Sequence, residues 1–228
     1  MRAAPRPADE AAIAAALRAL SRGRLVLHPT ETVVSLSGDP YSDVAVASAR
    51  RLKGYDTPRP FVCLVPGPDA ARAMCAAWPH AAERLARAFW PGPLTLVAPA
   101  SSEAPHSVQE AGRIAVRPAA DPVSAALVAA WGKALFSTSA NRRDEPPATE
   151  VSAALEALGV GPGGEAIEVA LVAVHAGDAS PPAGETGTRS GLPSTIVDVG
   201  AGTPRIVREG AISADAIREV VGDLQPRR

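Results

Sequence analysis

The chain is poor in cysteine and in aromatic residues, and each shortage excludes a class of protein. Only two of its 228 residues are cysteine, and 4% are aromatic. Cys63 and Cys75 lie in separate apolar segments with neither CxxC nor Cys/His spacing. We therefore expect two buried, reduced thiols rather than a disulfide framework or a zinc site. With so few aromatic residues, the chain lacks the base-stacking surface typical of proteins that bind single-stranded nucleic acid.

Excess charge and long apolar runs are also missing. Lys and Arg total 23 against 24 Asp and Glu, a net charge of −1, which indicates no overall attraction to nucleic acid or to a membrane surface. No apolar run approaches the roughly 20 residues that span a bilayer. The stretch 9–22 has the periodicity of a surface helix rather than of a signal peptide. These features predict a cytoplasmic protein.

Strand-like and helix-like segments alternate along most of the chain. The sequence therefore predicts one α/β domain over residues 1–228, with its core at about 9–222 and a twisted, mixed, partly parallel sheet flanked by helices. The predicted strands are 24–28, 61–65, 94–99, 113–117, 134–138, 170–175, 194–199 and 204–208, and the predicted helices are 9–22, 42–53, 68–77, 79–89, 121–131, 149–158 and 213–221. A Gly/Pro/Ser-rich stretch at 176–193 is predicted to be a long mobile loop, either functional or a disordered insertion.

Polar side chains cluster around the ends of several predicted strands, where open α/β sheets bind their ligands. These side chains are Thr30, Glu31 and Thr32 after the first strand, Ser137, Thr138, Ser139 and Asn141 around the end of the strand 134–138, Arg117 and Arg208 at the ends of two others, and Lys53 at a helix end. Three cations with hydroxyl and amide groups suit a phosphate-bearing ligand held beside a carboxylate-bearing one. The sequence therefore predicts a polar, basic cleft at the strand ends.

Each of these residues also has a purely structural interpretation. Residues 30–32 could cap a following helix, and residues 137–141 could form a turn that satisfies its own backbone. Lys53 could be a solvated charge at a helix end, and Arg208 could pair with Glu209 on the surface. The four histidines have no metal-ligand spacing, and neither GxxxxGK[ST] nor GxGxxG is present. The residues by themselves thus indicate an α/β domain with a cleft for an anion.

Taken in order, eight segments resemble the YrdC-type threonylcarbamoyl-AMP synthase family. They are "PTETVVSLSGDPYSD" (29–43), "KG" (53–54), "FWPGPLTLV" (89–97), "IAVR" (114–117), "GKALFSTSAN" (132–141), "GETG" (184–187), "PSTIVD" (193–198) and "IVREG" (206–210). Their order and number carry the resemblance, which covers roughly residues 9–222. The chain is similar to the short, single-domain form of the family.

The resemblance implies a nucleotidyltransferase that converts L-threonine, bicarbonate and ATP, with Mg²⁺, into threonylcarbamoyl-adenylate and pyrophosphate. Other proteins would use this product for threonylcarbamoyladenosine modification of tRNA. The implied site positions its substrates and stabilises charge, with no catalytic side chain and no protein-bound metal. The implied substrate-binding residues are Thr30, Thr32, Arg117 (on the amino-acid carboxylate), Ser137 and Ser194, and the implied nucleotide-binding residues are Lys53, Ser139, Asn141 and Arg208.

The chain departs from the family pattern at two places in the expected cleft. Where the family commonly has an aromatic residue and two glycines, this chain has Val34, Ser35 and Ser37, and serine narrows the backbone's freedom. The family's Lys-x-Arg pair reads Lys-Gly-Tyr here, with Tyr55 in place of the arginine. Losing that arginine removes a charge-assisted contact of about 1.5–3 kcal/mol. We hypothesise that Arg59 reaches the same phosphate from a shifted loop.

Other interpretations stay open at this stage. The segment 142–149 is charged where the family has a small Ser-Gly step, which is typical of a divergent paralogue. Such a paralogue could be non-catalytic or bind RNA, because a basic cavity also accepts RNA phosphates. A third interpretation is an enzyme that makes an adenylate from carbamoyl phosphate, although such domains sit in much longer chains. The sequence leaves open whether the loop 176–193 closes over the substrate, as the corresponding loop does in the family.

Overall fold

Nine strands form one mixed sheet in the computed structural model, which describes residues 10–57, 59–149, 151–159, 170–171, 191–200 and 202–225. The strands are β1 (Val26–His28), β2 (Ser35–Gly38), β3 (Val62–Val65), β4 (Leu94–Pro99), β5 (Arg113–Pro118), β6 (Leu135–Ser139), β7 (Ala170–Leu171), β8 (Thr195–Asp198) and β9 (Arg205–Arg208). Their order is β7-β1-β2-β6-β3-β5-β4-β8-β9. The pairs β1–β7, β3–β5 and β4–β8 are parallel, and the remaining pairs are antiparallel. The predicted mixed sheet is confirmed.

The helices form where the sequence places their caps. They are α1 (Glu10–Ser21), α2 (Asp43–Lys53), α3 (Pro68–Ala73), α4 (His80–Phe89), α5 (Pro122–Trp131), α6 (Val151–Ala157) and α7 (Ala214–Val221). Ser42 caps the start of α2 through its side chain, and Gly54 ends that helix in the left-handed conformation at φ 67°. Asp121 and Gly132 do the same for α5. The α-helices predicted from the sequence are thus confirmed, although α3 ends at residue 73 rather than 77.

Strand β2 is absent from the predicted strands. Its sequence, SLSG, consists mostly of residues with low strand propensity. It becomes a strand because β1 and β6 pair with it on its two sides and because Leu36 is completely buried. The predicted strand 170–175 is described only at residues 170–171. The predicted loop 176–193 lies outside the described residues except for 191–193.

The two faces of the sheet differ in what covers them. On one face, α2 and α3 pack against β1, β2, β3, β5 and β6, and α4 and α7 pack against β4, β8 and β9. On the other face, α1 and α5 form a smaller apolar cluster with single residues of β1, β3 and β6, namely Val26, Leu64 and Leu135. Polar side chains can therefore lie on this second face beyond the edge of α1 and α5.

The strand register assigns a set of polar residues to this second face. Residues paired directly across a ladder point to the same side of a sheet, and so do residues two apart on a strand. Since Leu64 pairs with both Leu135 and Arg117, the arginine shares the face of α1 and α5. By the same reasoning the face also carries His28, Ser35, Ser37, Thr95, Ser137 and Ser139. The pairing of β8 with β9 shifts register beside Arg208, so the register does not assign this arginine; it joins the set because it contacts the Ser194 hydroxyl, which lies 2.9 Å from that of Thr95. We call this set the polar face.

Both cysteines are free, as predicted, but only one of them is fully buried. Cys63 lies in the core, whereas Cys75 is half-buried, so the expectation of two buried thiols is wrong for Cys75. Burial raises the pKa of Cys63 to about 12 and that of Cys75 to about 11. Both therefore stay protonated and unreactive at neutral pH. Among the described helices, none is long and apolar enough to cross a bilayer.

Candidate functional site

An arginine and a glutamate from distant parts of the sheet meet over the polar face. Arg117 lies near the end of β5 and is 4% exposed, and Glu31 lies in the turn between β1 and β2. Nη1 of Arg117 is 2.8 Å from Oε1 of Glu31. Burial lowers the pKa of Arg117, and the charge of Glu31 opposes that shift. Sequence reasoning placed Arg117 in the site but did not find its partner, because nothing local to Glu31 indicates the pairing.

The ion pair is incomplete as a hydrogen-bonded unit. Both carboxylate oxygens of Glu31, and Nε and Nη1 of Arg117, are buried without an aligned hydrogen bond among the residues that the structure describes. Buried polar groups are nearly always hydrogen-bonded, so unused donors on a buried guanidinium call for a ligand. A guanidinium binds a carboxylate or a phosphate through two parallel N–H groups. Arg117 is therefore well suited to hold an anionic ligand.

Arg208 supplies a second guanidinium to the same face. Its Nε and Nη2 donate to the carbonyl oxygen of Ser194 at 3.1 and 2.9 Å, and Nη2 also donates to the Ser194 hydroxyl. Partial burial lowers the pKa of Arg208, and the positive charge of Arg117 lowers it further. Because Arg117 and Arg208 repel each other, an anion bound near both of them is stabilised by both positive charges. The Glu209 carboxylate accepts instead from the backbone N–H of Ala214.

Lys53 is not the solvated helix-end charge of the structural interpretation. It is 1% exposed, and its Nζ donates to the carbonyl oxygens of Ser139 (2.7 Å) and Asn141 (2.8 Å) and to Oδ1 of Asn141 (3.2 Å). Burial lowers its pKa to about 8, so the ammonium is charged at neutral pH. Because an ammonium has three donors, these contacts occupy all of them. In this structure Lys53 holds the segment that follows β6, and its contact with a nucleotide stays a prediction.

Asn141 and Ser139 differ in how far their polar groups are occupied. The Asn141 side chain receives Lys53 on its oxygen and donates to the carbonyl oxygens of Arg142 and Glu145. The turn predicted as an alternative, which satisfies its own backbone, is thus correct for the Asn141 amide nitrogen and wrong for its oxygen, which Lys53 of α2 binds. The half-buried Ser139 hydroxyl makes no hydrogen bond to any other residue that the structure describes, so it is available to a ligand. Asn141 shapes the segment, and Ser139 faces the cleft from it.

The Thr-Glu-Thr segment forms a turn between two strands and does not cap a helix. The Thr30 hydroxyl donates to the carbonyl oxygen of Val33 at 2.6 Å and accepts from the backbone N–H groups of Thr32 and Val33. Since its single proton is used, the Thr32 hydroxyl donates to it at 2.9 Å. The helix-capping interpretation is therefore wrong. Both threonines are buried, and Thr32 keeps free lone pairs, whereas Thr30 stabilises the turn that carries Glu31.

The two predicted serines of the substrate site are both buried and hydrogen-bonded. The Ser137 hydroxyl lies 2.6 Å from the Ser35 hydroxyl, and the Ser194 hydroxyl lies 2.9 Å from that of Thr95. Ser35 and Thr95 were not among the predicted site residues. Short polar runs such as SLSG give no local signal of what they contact, so only the strand register places them beside the predicted serines.

Two arginines lie close to the position where the family's second basic residue is missing. The Arg59 guanidinium is 5.2 Å from the ring centroid of Tyr55, and Nζ of Lys53 is 5.6 Å from the same centroid. Arg143, in the charged segment 142–149, donates its backbone N–H to the Lys53 carbonyl oxygen, and its side chain pairs with Asp56 at 3.3 Å. Tyr55 thus brings Arg59 beside Lys53 through cation–π contacts.

The residues that meet on the polar face define a class of protein. The buried guanidinium of Arg117, the more exposed guanidinium of Arg208 and several hydroxyls lie on this face, and the buried Lys53 binds the Ser139 carbonyl oxygen beside it. These groups suit ligands carrying carboxylate and phosphate groups. Among the described residues, no group of three or more His, Cys, Asp or Glu side chains is placed to hold a metal ion. The chain is an α/β domain whose polar face carries the charges and hydrogen-bond donors that suit the binding and positioning of anions.

Comparison with known proteins assigns the domain to a family. The model of the Sua5/YciO/YrdC family, described as "Telomere recombination", matches residues 18–169. A curated Mycobacterium leprae protein is 35% identical over 211 residues, which are 92% of this chain and 88% of its own. A Xanthomonas campestris protein named threonylcarbamoyl-AMP synthase is 37% identical over 147 residues, 63% of this chain and 79% of its own. The chain belongs to the Sua5/YciO/YrdC family, which confirms the resemblance seen in the sequence.

A solved structure extends the likeness across most of the fold. Pyrococcus abyssi Sua5 complexed with L-threonine matches with a TM-score of 0.79 and 28% sequence identity, covering 94% of this chain. This chain spans 59% of the length of that Sua5 chain. The expected YrdC-like α/β fold is thereby confirmed.

Proposed function

We propose that this protein is a threonylcarbamoyl-AMP synthase that forms threonylcarbamoyl-adenylate and pyrophosphate from L-threonine, bicarbonate and ATP. The relatives named for this activity support the proposal, and so does the solved Sua5 structure with L-threonine. The observation in this chain that carries it is the buried Arg117 guanidinium with unused donors, beside a second cation, Arg208. An amino-acid carboxylate and a nucleotide phosphate are the anions that this pair suits.

The residues of the cleft divide between the two substrates in this proposal. Arg117 binds the threonine carboxylate, and Thr30, Thr32, Ser137 and Ser194 surround the rest of the amino acid. Arg208, Ser139 and the segment held by Lys53 and Asn141 bind the phosphates of ATP. Lys53, Asn141 and Thr30 act mainly on the segments that carry the other contacts, because their polar groups are hydrogen-bonded within the protein.

The reaction needs positioning rather than a nucleophilic side chain. The threonine nitrogen attacks the carbon of bicarbonate, the C–OH bond breaks, and the hydroxyl leaves as water with a proton from the amine. An oxygen of the resulting carbamate then attacks the α-phosphorus of ATP. The bond from that phosphorus to the β-phosphate oxygen breaks, and pyrophosphate leaves. Arg208 and Lys53 stabilise the charge on the phosphates. Mg²⁺ bound to ATP would neutralise part of this charge, and the cations of the cleft fit such a complex.

Pyrophosphate release tests the proposal directly. Purified protein with ATP, Mg²⁺ and bicarbonate should release pyrophosphate only when L-threonine is present, because the amino acid supplies the attacking group. Release should be followed by a coupled enzyme assay, with L-threonine omitted as the control. ATP binding without any threonine-dependent release would contradict the synthase and favour a non-catalytic paralogue.

Two alternative functions predict different results, the first in the same assay and the second in an RNA-binding measurement. Release that requires carbamoyl phosphate in place of threonine and bicarbonate would indicate the carbamoyl-adenylate-forming variant. Affinity for RNA that falls steeply with salt, without turnover, would indicate the RNA-binding paralogue. The proposal also includes a cytoplasmic location and the use of the product by tRNA-modifying proteins.

Replacing Arg59 tests whether it substitutes for the missing family arginine. We expect Arg59→Ala to weaken ATP binding about tenfold, because one charge-assisted contact is worth about 1.5–3 kcal/mol. Isothermal titration with ATP and Mg²⁺ measures the change. Arg51→Ala is the matched control, since Arg51 is an exposed arginine near the end of α2 that contacts only Ser48 through its side chain among the described residues. Unchanged ATP affinity in Arg59→Ala would contradict the substitution.

A further inference from the structure

A continuous row of short polar contacts runs from a completely buried histidine to the cleft. His28 Nδ1 lies 2.9 Å from the carbonyl oxygen of Pro29, and its Nε2 lies 2.8 Å from the Ser37 hydroxyl. The Ser37 and Ser35 hydroxyls are 3.1 Å apart, and those of Ser35 and Ser137 are 2.6 Å apart. The histidine and all three serines are at most 7% exposed. We call His28, Ser37 and Ser35 the relay.

The chemistry of the contacts gives the relay a direction. The Pro29 carbonyl oxygen can only accept, so His28 Nδ1 carries the proton. Burial lowers the pKa of His28 below its ordinary value of 6.5, and this outweighs the Pro29 carbonyl and Asp121, which favour protonation, while Arg117 lowers it further. The ring is therefore neutral at neutral pH, and its Nε2 is an acceptor. Ser37 must donate its proton to that nitrogen.

The same reasoning continues outward along the serines. Because the Ser37 proton points to His28, its oxygen accepts from Ser35. The Ser35 oxygen then accepts from Ser137 at the shortest contact of the row. The Ser35 hydroxyl also lies 3.3 Å from the Thr138 carbonyl oxygen, which can only accept. If Ser35 donates its proton to that oxygen, the Ser35 oxygen still accepts from Ser137. Only this direction places a proton in every contact of the row.

We propose that the relay fixes the Ser137 hydroxyl as a hydrogen-bond acceptor toward the cleft, so that it binds the amino group of the substrate amino acid and not its carboxylate. With its proton directed inward, Ser137 presents only lone pairs. A carboxylate has no proton to offer them, whereas an amino group does. Arg117 then takes the carboxylate, and the two ends of the amino acid are held by groups of opposite character. This assignment rests on the proposed function.

The relay is a feature of this chain rather than of the general pattern. Ser35 and Ser37 stand where the resemblance leads us to expect glycine, which has no hydroxyl. Both lie on β2, and the register with β1 and β6 sets them between His28 and Ser137. His28, Ser35 and Ser37 are therefore positioning residues, which act through Ser137 and do not themselves touch substrate.

A double-mutant cycle on L-threonine binding tests the relay. Loss of one buried hydrogen bond typically changes an equilibrium by about three- to tenfold. We expect Ser35→Ala to weaken L-threonine binding about threefold and Ser137→Ala about tenfold, measured by isothermal titration. The double variant should equal Ser137→Ala, because the relay acts through that hydroxyl. Ser37→Ala should behave like Ser35→Ala, which provides a second variant if the first does not fold.

A matched control and a second ligand sharpen the outcome. Ser124→Ala removes another buried hydroxyl, which donates to the Asp121 carbonyl oxygen and makes no hydrogen bond to the relay, and should leave the affinity unchanged. L-2-aminobutyrate lacks the threonine hydroxyl, and Ser35→Ala should weaken its binding by the same factor as for L-threonine. An effect on L-threonine alone would overturn the assignment to the amino group. The relay would be overturned if the effects of Ser35→Ala and Ser137→Ala on L-threonine affinity were additive, or if Ser35→Ala had no effect on that affinity.

The proposed function and the relay can fail separately in this experiment. If the unmodified protein does not bind L-threonine, the synthase proposal fails. If it binds L-threonine and the cycle shows no coupling between Ser35 and Ser137, the synthase survives and the relay is wrong.

Discussion

Arg117→Met should reduce the specificity constant kcat/KM for L-threonine by about 100-fold or more. The variant loses the guanidinium expected to bind the substrate carboxylate, and hydrogen bonds to charged groups are worth about 1.5–3 kcal/mol each. It also leaves the buried Glu31 carboxylate, 2.8 Å from the former Nη1 position, to repel the substrate. Pyrophosphate release at varied L-threonine concentration measures the loss, and ATP affinity should change far less.

Two further variants separate binding from stability. Breaking a buried ion pair by removing one partner costs about 3–5 kcal/mol, so Arg117→Met should also lower the free energy of unfolding. Adding Glu31→Gln removes the unpaired charge and should restore part of the stability but none of the turnover. Arg113→Met is the control on the same strand, because this arginine lies at the opposite end of β5 and pairs with Asp198 instead of Glu31. Retained threonine dependence in Arg117→Met would refute the assignment of the carboxylate.

Lys53→Met should weaken ATP binding at least tenfold and destabilise the protein by about 3 kcal/mol. The substitution leaves the carbonyl oxygens of Ser139 and Asn141 and the Asn141 side-chain oxygen without their common donor. Each unsatisfied buried acceptor costs about 1–3 kcal/mol. Denaturant unfolding and ATP titration measure the two effects. Lys133→Met is the matched control, because the only other lysine is exposed and packs on Trp131.

The lowered pKa of Lys53 adds a pH dependence with a defined sign. Burial lowers it from 10.5 to about 8, so ATP affinity should fall as the pH rises through about 8 and the positive charge is lost. The unfolded chain binds more protons than the folded one between pH 8 and 10.5, so this group makes the free energy of unfolding rise with pH over that window. The titration of Lys53 therefore does not unfold the protein over this pH window, and it cannot lower the ATP affinity in that way. Lys53→Met should show no such fall, and an equal fall in this variant would contradict the role of Lys53.

Local features were readable from the sequence because their causes lie within a few residues. Ser42 and Gly54 mark the two ends of α2, and Asp121 and Gly132 mark those of α5, through contacts made with the adjacent turn. The alternation of helices and strands predicts the mixed α/β sheet for the same reason. Arg117 was also identified as a site residue, because it ends a predicted strand and strand ends in such sheets meet at one edge.

Only the tertiary structure decided which polar groups contact each other and which of them donates in each hydrogen bond. SLSG has low strand propensity and becomes β2 because two neighbouring strands pair with it. Lys53 reads as a surface charge, yet it is buried against Ser139, 86 residues away. Ser35 contacts Ser137 across 102 residues. Local propensity does not predict such distant pairs, because the order and register of the strands bring them together. The direction of each hydrogen bond then depends on which donors and acceptors the fold places around it.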